Sequence, residues 1–70
     1  MVDPVLAPEA LRLARQRAGI KPGAFADKVG ISRGYLWLIE SGKRTPAPEL
    51  FYRFASVLEV PPETLAAVAA

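Results

Sequence analysis

Cysteine and histidine are both absent from the 70-residue chain. Without thiols there is no disulfide framework, and without either residue the usual zinc ligands are missing, so stapled minidomains are excluded. Nucleophilic catalysis would need a lone serine or lysine with a tuned partner, and the sequence offers no such grouping. For a carboxylate metal site, Glu59 and Glu63 supply two ligands at most. The chain is therefore read as a non-enzyme with no cofactor and no metal. Long hydrophobic runs are also missing. The longest strongly apolar stretch, Gly34 to Ile39, is far short of a membrane span, and the opening Met1-Val2-Asp3-Pro4 puts an acid where a signal peptide needs bases. A soluble, cytoplasmic protein with no membrane partner is expected. Strand signals are sparse as well, with no Asn-Gly or Asp-Gly pair and β-branched residues that scatter rather than alternate.

What is present is enough for one small helical core. At this length a single domain over residues 1–70 is expected, and it buries only roughly 60% of the surface its unfolded chain exposes. Charge is distributed unevenly. Residues 12–44 carry eight bases (Arg12, Arg15, Arg17, Lys21, Lys28, Arg33, Lys43, Arg44) against Asp27 and Glu40, a local excess of six positive charges. The remainder sets Arg53 against Asp3, Glu9, Glu49, Glu59 and Glu63. One part of the chain is thus suited to meet anions, although charge alone fits a solvated basic face equally well.

Apolar residues recur at helical spacing: Leu11, Ala14, Arg15 and Ala18 share a face, as do Phe25, Ala26 and Val29, then Leu36 and Ile39, then Phe51, Phe54, Ala55 and Leu58. Pro8, Pro22, Pro48 and Pro62 fit first helical positions, where the missing N–H costs nothing. Gly19, Gly30 and Gly42 follow the apolar segments, as left-handed C-terminal residues do. These signals predict helices over 8–18, 22–29, 33–41, 48–58 and 62–68, with residues 1–7 as an N-terminal arm and 66–70 as a tail that frays.

The helix starts differ in a way that bears on function. Glu9, Glu49 and Glu63 directly follow prolines, so three helix N-termini are occupied by the chain's own carboxylates. The second and third helices open on Lys21-Pro22-Gly23 and Ser32-Arg33-Gly34, each with a base, a glycine and no acid. Their exposed N–H groups are free for an external anion such as phosphate.

Between these two starts lies Phe25-Ala26-Asp27-Lys28-Val29-Gly30-Ile31-Ser32-Arg33-Gly34-Tyr35-Leu36-Trp37-Leu38-Ile39-Glu40. Ala26 is small where two helices cross, Gly30 supplies the positive φ of a short turn, and Ile31, Leu36 and Ile39 fill the angle between them. This resembles the helix-turn-helix of phage repressor and Cro-type regulators, the XRE-like family. The similarity runs over roughly residues 9–65, with Leu11, Arg15 and Gly19-Ile20 before it and Glu40 to Pro46, Ala55, Leu58, Val60 and Leu65 after it. The resemblance implies a compact five-helix, lambda-repressor-like all-α domain. It also implies a regulator, most plainly a repressor, that binds double-stranded DNA.

On individual residues, the resemblance places the third helix in the major groove, with Ser32, Arg33, Gly34 and Leu38 toward base edges. Arg33 leads, because a guanidinium bonds two acceptors of one guanine. Leu38 offers no hydrogen bond, so facing DNA it touches only a thymine methyl. Lys21, the Gly23 N–H, Tyr35, Lys43 and Arg44 are the corresponding backbone contacts. Two departures from the family stand out. Pro22 replaces a common glutamine and supplies neither an amide nor an N–H to phosphate, and the third helix carries Tyr35, Trp37 and Leu38 where polar residues are usual. With Leu36 and Ile39 assigned to the core, some of these three are exposed. Trp37 either folds against a neighbouring loop or meets DNA sugar or a protein partner. That last option keeps open an interaction module, of the kind that binds a toxin or RNA polymerase. Arg15 and Glu40, lying on apolar faces, are paired by the family pattern as a structural ion pair between the first and third helices. A homodimer on DNA is expected, its surface drawn from Leu50, Val57, Val60 and Leu65, because one recognition helix reads only a few base pairs.

Overall fold

The computed structural model describes residues 5–67. Four α-helices follow one another: α1 (Pro8–Arg17), α2 (Pro22–Val29), α3 (Arg33–Glu40) and α4 (Pro48–Leu58). Among the described residues there is no strand, only an isolated antiparallel bridge between Leu6 and Ala66. The fifth helix expected over 62–68 is instead a single 3-10 turn at Pro62–Thr64. A tertiary contact interrupts it: the Leu65 carbonyl accepts the Ala7 N–H at 2.8 Å, and the Ala67 N–H donates to the Val5 carbonyl at 2.7 Å. The chain is pulled into an extended pairing just where a helix would have continued. The same bonds join parts of the expected N-terminal arm and tail, pairing residues 5–7 with residues 65–67. Residues 1–4 and 68–70 of those segments lie outside the described residues.

Proline starts three of the helices. Pro8, Pro22 and Pro48 each follow a residue in extended conformation, Ala7, Lys21 and Ala47, as the steric demand of the proline ring requires. Helix α3 lacks a proline and starts by another route: the Ser32 hydroxyl accepts the Tyr35 N–H at 3.0 Å, satisfying one of the free donors of the first turn. Helix α2 ends on Gly30 at φ 81°, whose N–H bonds the Ala26 carbonyl at 2.9 Å. Helix α4 has no glycine at the equivalent place, and Glu59 adopts the left-handed conformation itself at φ 56°.

The faces read from periodicity meet in one core. Leu11, Phe25, Leu36, Ile39, Phe51, Phe54 and Leu65 are each fully buried, and the rings of Phe25 and Phe54 stack at 5.5 Å, tying α2 to α4. Full burial of each large side chain is worth about 1.5–3 kcal/mol, so these seven dominate the favourable side of folding. Leu6 joins them from the N-terminal segment. Ala18, assigned by spacing to the inner face of α1, is exposed, because it caps the helix after its last full turn. Leu65 is 0% exposed, so it is a core residue and supplies no pairing surface. Leu50, Val57 and Val60 are half-buried against the core, with part of each side chain still facing water.

Candidate nucleic-acid interface

The turn between α2 and α3 is fixed at both ends. Ala26, 1% exposed, lets the two helices approach closely, and its carbonyl accepts the N–H groups of both Gly30 and Ile31. The chain then leaves the left-handed Gly30, extends through Ser32 and enters α3. No acid stands in the first turn of either helix, whereas Glu9, Glu49 and Glu63 stand in the first turns of α1, α4 and the 3-10 turn. The two acid-free starts lie side by side. Arg33, at the first position of α3, runs its stem over Gly23 in the first turn of α2: its Cδ lies 3.8 Å from where a Cβ on residue 23 would stand.

The faces of α3 follow from its 3.6-residue repeat. Leu36 and Ile39 point inward and are buried, which turns Arg33, Gly34, Trp37 and Leu38 outward and leaves Tyr35 and Glu40 on the flanks. Of the three apolar residues whose exposure spacing leaves open, Tyr35 and Leu38 are half-buried, while Trp37 is 59% exposed and borders a shallow cleft with Arg12, Glu40 and Ser41. A Cβ placed on Gly34 would meet nothing within 4 Å, so the outer face of α3 is open at that position, with no neighbouring side chain over it.

The segment after α3 is folded back onto it. The Leu38 carbonyl accepts the N–H of Lys43 at 2.9 Å, that of Arg44 at 3.2 Å and the Ser41 hydroxyl at 3.1 Å. Lys43 then extends its ammonium over the Trp37 ring, 5.0 Å from the centroid, where the electron-rich face attracts it. Lys43 and Arg44 are thereby presented beside the C-terminal end of α3, while Lys21 and Gly23 lie at the start of α2.

Arg15 and Glu40 hold this surface to the body of the domain. Arg15 Nε donates to Glu40 Oε2 at 2.8 Å and Nη2 to Oε1 at 3.2 Å, a two-pronged pair, while Nη1 donates to the Ile20 carbonyl at 3.0 Å. The side chains are only 8% and 12% exposed, so three bonds to one guanidinium offset a substantial loss of hydration. Among the described residues, no buried side-chain polar atom lacks a partner and no cluster of three or more metal-ligating side chains forms. No helix among them is long and apolar enough to cross a membrane.

Sequence reasoning passes over Arg53. Its Nη1 donates to the Val29 carbonyl at 2.9 Å and its Nη2 to Glu49 at 3.1 Å, so α4 caps the C-terminal end of α2. The available signal is its isolation: Arg53 is the only base after residue 44, and it lies on a helix that packs against a glycine-ended neighbour.

Similarities to known proteins agree with this architecture. A family model described as a helix-turn-helix domain matches residues 9–68. Among solved structures, the restriction-modification controller protein C.AhdI from Aeromonas hydrophila superposes with a TM-score of 0.77 at 24% identity, over 81% of this chain and 86% of that one. SinR, a master regulator for biofilm formation solved in complex with DNA, gives a TM-score of 0.77 at 25% identity, over 83% of this chain and 97% of its own. A helix-turn-helix transcriptional regulator from Vibrio cholerae gives 0.74 at 28% identity over 81% of this chain, which spans only 32% of the regulator. No curated protein is significantly similar in sequence. Together the crossing at Ala26, the turn at Gly30, the capped start of α3 and a model match over most of the chain identify it as a member of the helix-turn-helix family of the XRE and Cro type.

Proposed function

We propose that this chain is a transcriptional regulator that binds double-stranded DNA, with α3 in the major groove. The observation that carries the reading is the pair of acid-free helix starts brought side by side, with Arg33 spanning them and Lys21 at the edge. Two positive helix ends and adjacent bases form a surface that binds phosphates on either side of a groove. Lys43 and Arg44, held at the far end of α3, extend that surface along the duplex. In this arrangement Lys21, the Gly23 N–H, Tyr35, Lys43 and Arg44 contact the backbone, while Ser32, Arg33, Gly34 and Leu38 approach base edges. SinR, solved in complex with DNA, supports the reading through its shared fold.

The regulator acts as a repressor and pairs on its site, with the half-exposed Leu50, Val57 and Val60 as the contact surface. A second reading, a protein-interaction module, is favoured by one observation, the exposed Trp37 on the outward face of α3. Titration of duplex DNA at several salt concentrations separates the two. Backbone contacts make affinity fall by roughly 0.9 log units per log unit of salt for each phosphate bound. A chain that binds no duplex at low salt refutes the DNA reading.

A further inference from the structure

The outward face of α3 has an unusual chemistry for a surface that reads base edges by hydrogen bonding. The Ser32 hydroxyl accepts the Tyr35 N–H, which ties it to the first turn of α3 and leaves its O–H for the leading end of the helix. Arg33 sits at the first helical position, and its stem leans along α2 at Gly23, so it serves the leading end of the helix. Through the middle of the face there is no polar side chain: Gly34 is bare backbone open to solvent, and Leu38 and the Trp37 indole stand one turn further on. Lys43, 5.0 Å from the indole centroid, keeps positive charge at the rim of this apolar patch. Arg33, at the first position of α3, places a second base at the leading end of the same helix. Bases at the two ends of an apolar helix face match a polyanion that presents apolar groups between its charges. In duplex DNA the apolar group displayed in the major groove is the C5-methyl of thymine.

Resting on the DNA-binding reading above, we infer that α3 recognises its site by thymine methyl groups, which pack over the bare Gly34 and against Leu38 and the Trp37 ring. The arrangement explains why a recognition surface tolerates leucine and tryptophan at outward positions. Each methyl transferred from water to this patch contributes as a buried CH₂ does, which is about a fourfold gain in affinity. Sequence preference then concentrates on A·T and T·A steps at the centre of each half-site. Any guanine contact belongs to Arg33 at the leading end.

Replacing thymine by deoxyuridine removes the methyl and leaves base pairing, charge and backbone unchanged. The probes are the duplex enriched from a random-sequence pool by the full chain and its single thymine-to-uracil derivatives, titrated by fluorescence anisotropy. At one or more thymines of each half-site the uracil duplex is expected to bind about fourfold more weakly. The double variant Leu38→Ala, Trp37→Ala is expected to bind the two duplexes equally. Uracil substitutions that are all neutral in the wild-type chain, or an enriched motif with no thymine in the half-site centre, would overturn the inference while leaving DNA binding intact. Absence of salt-dependent binding to any duplex would remove the DNA-binding reading together with this one. The uracil comparison uses the unmodified protein, so its outcome does not depend on whether the double variant folds.

Discussion

Arg53 of α4 donates to the Val29 carbonyl of α2 across 2.9 Å, closing the C-terminal end of the helix whose N-terminal end faces outward with Lys21 and Gly23. A cation at this end satisfies a carbonyl and complements the negative pole of the helix. The companion contact to Glu49 is a surface i,i+4 pair and is worth little. Arg53→Ala is therefore expected to lower unfolding free energy by about 1.5 kcal/mol, and Glu49→Ala by less than about 0.5 kcal/mol. Urea denaturation of the two variants checks the ratio, and equal losses would show that the Val29 bond contributes nothing of its own.

The Arg15–Glu40 pair is expected to be far less tolerant. Either Arg15→Met or Glu40→Leu leaves a nearly buried charge without its partner, at a cost of about 3–5 kcal/mol. Total stability for a chain of this size is on the order of 4–10 kcal/mol, so each single variant is expected to lose a large fraction of it and to melt at a much lower temperature than the parent. The double variant removes both charges and should recover most of the loss, apart from the bond to the Ile20 carbonyl. Circular dichroism melts of the three proteins check this, and a double variant no more stable than the singles would contradict it.

Much of this fold is legible because its punctuation is local. Pro8, Pro22 and Pro48 mark helix starts, Gly30 marks the turn, and the spacing of Phe25, Ala26 and Val29 marks a buried face. Each of these effects acts within one helical turn. Properties set across the chain are not visible in this way. Leu65 reads as surface because it follows the last strong periodic segment, yet pairing of residues 5–7 with 65–67 draws it into the core. Arg53 shows no partner in the sequence because Val29 is 24 residues away. On α3, spacing requires that part of the Tyr35, Trp37 and Leu38 set be exposed. The tertiary packing settles which: Tyr35 and Leu38 are half-buried and Trp37 is 59% exposed.

Glu59 occupies a left-handed position that side chains with a Cβ disfavour, and its carboxylate sits at the negative end of α4. Glu59→Gly relieves both effects, and the greater freedom of glycine in the unfolded chain offsets part of the gain. A net stabilisation of about 0.5–1 kcal/mol is expected, readable as a higher melting temperature with DNA affinity unchanged, since residue 59 lies past the end of α4 and outside the α2–α3 surface. A melting temperature equal to or below that of the parent would show that no strain is held there.

Arg33 and Lys43 sit at opposite ends of α3 and are expected to fail differently. Arg33→Ala should flatten sequence preference at one base pair, a change of about 1–3 kcal/mol in discrimination. Lys43→Ala should weaken all duplexes alike and reduce the salt slope by about one phosphate's share. Affinity measured on a panel of single-base-pair variants distinguishes the two patterns. A uniform loss for Arg33→Ala would assign its guanidinium to phosphate, in keeping with the path of its stem along α2.

Pairing on DNA is expected to depend on Leu50, Val57 and Val60, which remain half-exposed beside the core. Two-fold dimers hold their recognition helices about 34 Å apart, one turn of duplex, so the site should be an inverted repeat. Such a small apolar surface gives weak association in solution, and pairing becomes appreciable when two half-sites hold the copies together. Val57→Lys tests this without breaking the core. The lysine stem keeps the inner part of the position covered while its ammonium reaches water, and in a symmetric pair the two like charges face each other. The variant should bind a single half-site as tightly as the parent, or slightly more tightly through its added charge, yet lose cooperative binding to the full inverted repeat. Sedimentation of the complexes supplies the independent count, with two chains per full site for the parent and one for the variant at the same concentration. If the variant still binds the full site cooperatively, the copies do not meet through this face of α4.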